Sequence, residues 1–223
     1  MTTYAAHPDP EAGATEVAGQ QMTSRLAWLG IAGIVLYVLL DVVAQALPPH
    51  YSPVRQAESD LAVGPYGWIM TVNFVVRGLL SLAVVAALWR SLTLTGRARV
   101  GLALLGVWSI GAFLLAAFPT DIGRVQSIHG KVHLVVALVA FVCAPVGEYL
   151  LSRALTLDSR CAALGARVTP VAAVALGALA LQVVGLGLPR IGGLTERIFL
   201  TAVLLWLLLV ALDLRAAATA TGS

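Results

Sequence analysis

Charge is what this sequence has least of. Of its 223 residues, Asp, Glu, Lys and Arg make up 11%, while hydrophobic residues make up 59%. Soluble domains carry about 25% charged residues. A chain this poor in charge cannot cover itself with a water-facing surface, so lipid is the expected solvent for most of it. Cysteine is scarce too. Cys143 falls inside an apolar run and Cys161 in a short connection, and there is no Cys-x-x-Cys pair. A disulfide, a redox thiol pair and a thiolate metal site therefore have no support. No signal peptide is expected in residues 1–25, which are polar, contain Asp9, Glu11 and Glu16, and have Arg25 as their single Lys or Arg. No Walker loop, Gly-x-Ser-x-Gly elbow or haem-attachment motif is present. The pI is about 9.2, yet no basic stripe with interleaved aromatics occurs, which sets nucleic-acid binding aside.

What is present in quantity is long apolar sequence. A spanning helix needs about 20 apolar residues. Six runs reach that length: Leu26–Leu47, Tyr66–Trp89, Val100–Phe118, Val132–Leu155, Val168–Leu188 and Glu196–Leu214. They are continuous rather than alternating, which excludes a transmembrane β-barrel. The predicted fold class is all-α, a polytopic membrane helical bundle of about six transmembrane helices over residues 26–214. Residues 1–25 and 215–223 are expected to be disordered cytoplasmic tails. Pro48, Pro49, Pro65, Pro119 and Pro189 sit near run ends, where a helix stops without leaving an unmet bond in lipid. Pro145 lies inside the fourth run and predicts a kink. Trp28, Trp68, Trp89 and Trp108 suit interfacial anchoring, and the deeper Trp206 suits packing.

Orientation follows from the basic residues. Arg25, Arg90, Arg97, Arg99, Arg153, Arg160, Arg167 and Arg215 fall on one side; Arg55, Arg124, Lys131, Arg190 and Arg197 fall on the other. Positive residues favour the cytoplasm. The chain is thus expected in the inner (plasma) membrane as a multi-pass protein with both termini cytoplasmic and the first, third and fifth loops facing outward.

Those outward loops hold the distinctive residues. The first carries Glu58-Ser59-Asp60-Leu61, followed by Gly64-Pro65 and then by Asn73 and Gly78 in the next run. The third carries Phe118-Pro119-x-Asp121 and His129-Gly-x-x-His133. The fifth leads into Gly193-Leu-x-Glu196-Arg197. As an ordered set over roughly residues 26–214, these motifs resemble the bacterial family known as domain of unknown function 998. The resemblance implies a six-helix membrane protein and no particular activity.

The residues themselves allow two chemistries. His129 and His133 share a helix face if the fourth helix starts near Ser127. With Asp121 they form a candidate site for a divalent metal such as zinc, with Glu58, Asp60 or Glu196 available as further ligands. The glutamate of a His-Glu-x-x-His motif is lacking. The same three residues equally suit capping of the helix, or metal-free acid–base work. Within the membrane, Arg77 lies near mid-bilayer, Asn73 is one turn away, and Asp41 is the nearest counter-ion by depth. An Asp41–Arg77 pair would form a polar pocket opening outward, or an ion pair that fixes helix packing. Glu148 is expected to snorkel or to pair with Arg153.

Two functional classes follow. An enzyme modifying a membrane lipid or an apolar isoprenoid, of hydrolase or cyclase type, would use Asp121, His129, His133, Glu58 and Asp41 as acid, base or ligand. Asn73, Arg77, Glu196, Arg197 and Ser59 would bind its substrate. A transporter, sensor or assembly protein would use the same polar groups without chemistry.

Overall fold

The fold is described from a computed structural model of residues 10–123, 126–185, 187, 188 and 190–220. Each apolar run is a helix: α1 Pro10–Ala46, α2 Gly67–Ser91, α3 Gly96–Ala117, α4 Ile128–Leu157, α5 Ala162–Gly185 and α6 Gly192–Ala220. All six are long and apolar enough to cross a membrane, and there is no strand among the described residues. The chain is a multi-pass membrane protein. Its two expected tails need correction. Residues 10–25 continue α1 and residues 215–220 continue α6. Both stretches are rich in Ala and other good helix formers, which extend a helix nucleated by the adjoining span. The rest of each tail, and also Arg124 and Pro189, lie outside the described residues.

Local sequence sets several boundaries. Ser127 caps α4, its hydroxyl accepting from the Gly130 N–H at 3.1 Å, so the predicted start of that helix holds. Thr95 caps α3 in the same way.

The helices pack as a closed ring. Each touches its neighbour in chain order, α6 closes on α1, and α6 also reaches α2 and α4 across the middle. Glycine permits close approaches between them: a Cβ on Gly101 of α3 would lie 3.0 Å from the Gly147 carbonyl of α4. The ring is filled by Leu105, Trp108, Phe199, Trp206 and Leu207, all fully buried. The outer surface is apolar as well, with Leu29, Leu36, Leu39 and Val43 of α1 exposed, as lipid-facing residues should be. Trp68 and Trp89 are exposed near the ends of α2 and suit the anchoring role, whereas Trp28 is exposed midway along α1. Trp108 does not suit that role. It sits mid-helix and donates from its indole nitrogen to Ser81 at 3.1 Å. Trp206 is packed as expected and donates to Ser152 at 2.8 Å.

A polar cavity at the loop end of the bundle

The connection between α1 and α2 is the most structured loop. A single 3-10 turn, Glu58–Ala62, folds it back over the helix ends. Asp60 holds that turn by accepting from the Ala57 N–H at 3.2 Å. The Gly193–Arg197 segment clamps the loop from the other side. Arg197 donates to the carbonyls of Pro53 at 2.9 Å and of Gln56 and Gly193 at 3.1 Å, and also to the Tyr51 hydroxyl. Gly193 is required by contact: a Cβ there would fall 2.0 Å from the Gln56 carbonyl oxygen. Glu196 accepts from the Glu58 N–H at 3.1 Å. Thr195, between them, donates to Gln182 of α5 at 2.6 Å. One short motif at the start of α6 therefore ties loop, α5 and α6 together.

The third loop has its own clamp. Asp121 accepts from the Ser127 N–H at 2.6 Å and from the Ser127 hydroxyl at 2.9 Å. It lies so close to α4 that a Cβ on Gly130 would be 2.0 Å from its Oδ2. Three residues beyond Gly130, the His133 ring uses Nδ1 to reach the Phe118 carbonyl at 2.7 Å. A carbonyl only accepts, so Nδ1 carries the proton and the neutral ring keeps a lone pair on Nε2.

Between these clamps lies a cavity of about 250 Å³, lined by residues of loops 1 and 3 and of α2, α3, α4, α5 and α6. Its polar wall consists of Ser59, Asp60, Arg77, Thr120, His133, Gln182 and Glu196, facing an apolar wall that includes Phe74, Leu138 and Phe141. Arg77 is 1% exposed. Its guanidinium carbon stands 4.6 Å from the Trp108 ring centre and 5.1 Å from that of Phe74. Its Nε and Nη2 have no hydrogen-bond partner.

Directly behind the wall sits Glu58. It is buried, and its Oε1 accepts from the Tyr37 hydroxyl at 2.5 Å. Burial pushes the Glu58 carboxyl up to about 8; the nearby Asp41 and Glu196 carboxylates add to the rise, and Arg77 and the Tyr37 bond oppose it. Burial also raises Asp60, against the Ala57 hydrogen bond and the charge of Arg197.

The expected site residues thus divide. Ser59, Arg77, His133 and Glu196 share the cavity, joined by Asp60. Glu58 supports them from behind. Asn73 is fully buried one turn from Arg77, and neither of its amide atoms has a partner. Arg197 clamps the loop and does not line the cavity.

Three expectations are corrected. First, Asp41 does not pair with Arg77. It accepts from Gln45 at 2.5 Å, and the only ion pairs among the described residues are Arg160–Asp158 and Arg167–Asp213. Two aromatic faces supply what a counter-ion was expected to supply. Second, the Asp121, His129 and His133 metal set is not assembled. Asp121 holds the capping residue Ser127, His129 is exposed with its ring 5.6 Å from Phe118, and His133 is buried. Among the described residues no three His, Cys, Asp or Glu side chains are grouped to hold an ion. Third, Glu148 neither snorkels nor meets Arg153: it is fully buried and both carboxyl oxygens lack partners.

The sequence alone passes over Tyr37 and Gln182, and it assigns Trp108 to the interface rather than to the interior. Tyr37 precedes Asp41 by one helical turn, and Gln182 is a lone amide inside an apolar run, which is a signal in itself. Trp108 gave no such signal.

Six spanning helices around a polar cavity at one end define a polytopic membrane protein with a ligand-sized internal site. The chain belongs to the family described as protein of unknown function (DUF998), which matches residues 31–213. No curated protein and no solved structure matches it.

Proposed function

We propose that this chain is an integral membrane enzyme that acts on a lipid or isoprenoid at the extracytoplasmic leaflet of the plasma membrane, by metal-free acid–base chemistry. The distribution of Lys and Arg supports that orientation, with loops 1, 3 and 5 outward and both termini cytoplasmic. The observation that carries the reading is the convergence of His133, Arg77, Asp60 and Glu196 on one cavity at that end. Each has a defined chemical capacity. His133 presents Nε2 as a base, its tautomer fixed by the Phe118 carbonyl. Arg77 offers a buried positive charge to an oxygen on which negative charge develops, in a setting where such charge counts for most. Asp60 and Glu196 are carboxyls able to return a proton to a leaving oxygen. For an ester, His133 takes a proton from water, the water oxygen attacks, Arg77 faces the new oxyanion, and a carboxyl protonates the departing alkoxide.

The test is turnover by full-length protein in vesicles supplied with fluorogenic acyl-ester and phosphate-ester lipids. Arg77→Gln should lower kcat by about 10²–10³, the usual effect of losing one oxyanion contact, and Arg77→Lys should restore part of it. Unchanged turnover in Arg77→Gln would remove the proposed chemistry. A carrier or sensor is the second reading, favoured by the unpartnered atoms of Asn73 and Asp41 outside the cavity lining. Flux or ligand binding that needs Asp41 and Asn73 but not His133 would select it.

A further inference from the structure

The cavity wall has an unusual composition. Beside Arg77 and His133, at 1% and 5% exposure, stand Leu134, Leu138 and Val142 of α4 and Val183 of α5, at 45%, 47%, 52% and 59%. The last four belong to the outer face of the ring, and all lie within spanning segments. A single cavity lined by both sets passes from the bundle interior to the lipid-facing surface between α4 and α5. Its opening meets hydrocarbon, not water.

The direction of the opening is informative too. Leu134 to Val142 covers about 12 Å of helix axis at 1.5 Å per residue. It starts beside His133 and runs away from the loops, toward the middle of α4. A lipid tail anchored in that leaflet runs the same way. At the inner end waits a cation with two unpartnered nitrogens. Asp60 and Glu196 share the wall with it, and two carboxyls disfavour a head bearing several negative charges. About 250 Å³ lies just below the usual range for ligand sites, too little for two chains.

We infer that the α4–α5 groove is a lateral portal for a single-chain lipid with a singly charged oxyanion head, its tail along Leu134, Leu138, Val142 and Val183 and its head at Arg77. This deepens the proposed function and rests on it for the site, but it concerns binding alone.

Photolabelling tests it. Full-length protein in phosphatidylcholine nanodiscs is exposed to a diazirine-tailed palmitate or to the matching fatty alcohol, and labelled peptides are mapped by mass spectrometry. Palmitate should label residues 134–142 and 179–183 about tenfold over the equally exposed α1 face at Leu36 and Leu39, the ratio expected of a site over bulk lipid at roughly 1.4 kcal/mol. Leu138→Trp and Val183→Trp fill the groove from exposed positions where the fold tolerates bulk, and should erase that excess. Arg77→Gln should erase the preference for acid over alcohol, and Arg77→Lys should keep it. Even labelling of α1 and α4–α5 in the unaltered protein overturns the portal. Equal labelling by acid and alcohol overturns the anionic head. Specific labelling in a protein that turns over no ester leaves the portal standing and sinks the enzymatic reading; turnover with even labelling does the reverse.

Discussion

The two ends of this bundle use charge in opposite ways. At the end holding the termini, charged residues pair in the open. Arg160 bonds Asp158 at 2.9 Å while 65% exposed, and the Arg167–Asp213 pair is similarly placed. Arg215 lies over the Trp28 ring, 3.8 Å from its centre. Hydrogen bonds from the Arg160 side chain and backbone hold the Asp158 carboxyl below its usual range. At the loop end, Glu58, Arg77, His133 and Glu196 are buried, and no ion pair joins them. Exposed pairs contribute little to stability. Buried ionisable groups in a membrane are costly and are kept where they serve a function. Glu148, buried without a partner in the half of α4 nearer the termini, is the exception; the gathering of several such groups is confined to the loop end, and it locates the working end of the molecule.

Substitutions should widen or erase that contrast. The largest effect on stability is expected from Arg197→Ala, which removes three carbonyl contacts and the Tyr51 hydroxyl contact at once. A loss of about 2–4 kcal/mol is expected, since hydrogen bonds from charged groups contribute about 1.5–3 each and are not additive; thermal unfolding in detergent measures it. A fall of less than half that size would mean the loop is held some other way.

Glu58 supplies the next effect, seen in pH rather than in Tm at one pH. Its carboxyl has an ordinary value of 4.5 and a folded value of about 8. Between those limits the folded chain holds a proton that the unfolded chain has released. Stability from this group is therefore complete below about 4.5 and drains away as pH rises through 8. Tm measured from pH 5 to 9 should fall in the unaltered protein, and the slope should flatten in Glu58→Gln.

Asp121→Ala is expected to cost about 1 kcal/mol, as for loss of a helix-capping contact, with turnover retained. Smallest of all, Arg160→Ala should leave Tm within error. If Arg160→Ala matched Arg197→Ala, the contrast between the ends would be gone.

The fold was legible because lipid imposes a simple rule: about 20 apolar residues per crossing. Six runs obeyed it and six helices formed. Helix ends were less legible where polar, Ala-rich residues prolonged a span, as in 10–25 and 215–220. Ser127 was the exception, since a cap is a local feature.

For the site, the sequence pointed to Ser59, Arg77, His133 and Glu196, which do meet. It failed where the partner was not the expected type. Arg77 called for a carboxylate by charge and depth, but its neighbours are the rings of Phe74 and Trp108. Hydropathy cannot tell a packing Trp from one that faces a cation. The four-residue spacing of His129 and His133 correctly placed them on one face of α4. It could not say that the earlier turn stands clear of the bundle while the later one is enclosed by Phe118, Phe74 and the cavity.

That pair of histidines offers the most direct test of the central claim, that chemistry belongs to the cavity and not to the loop motifs at large. The measurement is kcat for His133→Ala against His129→Ala in the same vesicles with the same ester lipid. Loss of a general base should cost His133→Ala about 10²–10⁴, while His129→Ala stays at the unaltered rate. Equal losses, or a larger loss in His129→Ala, would contradict it.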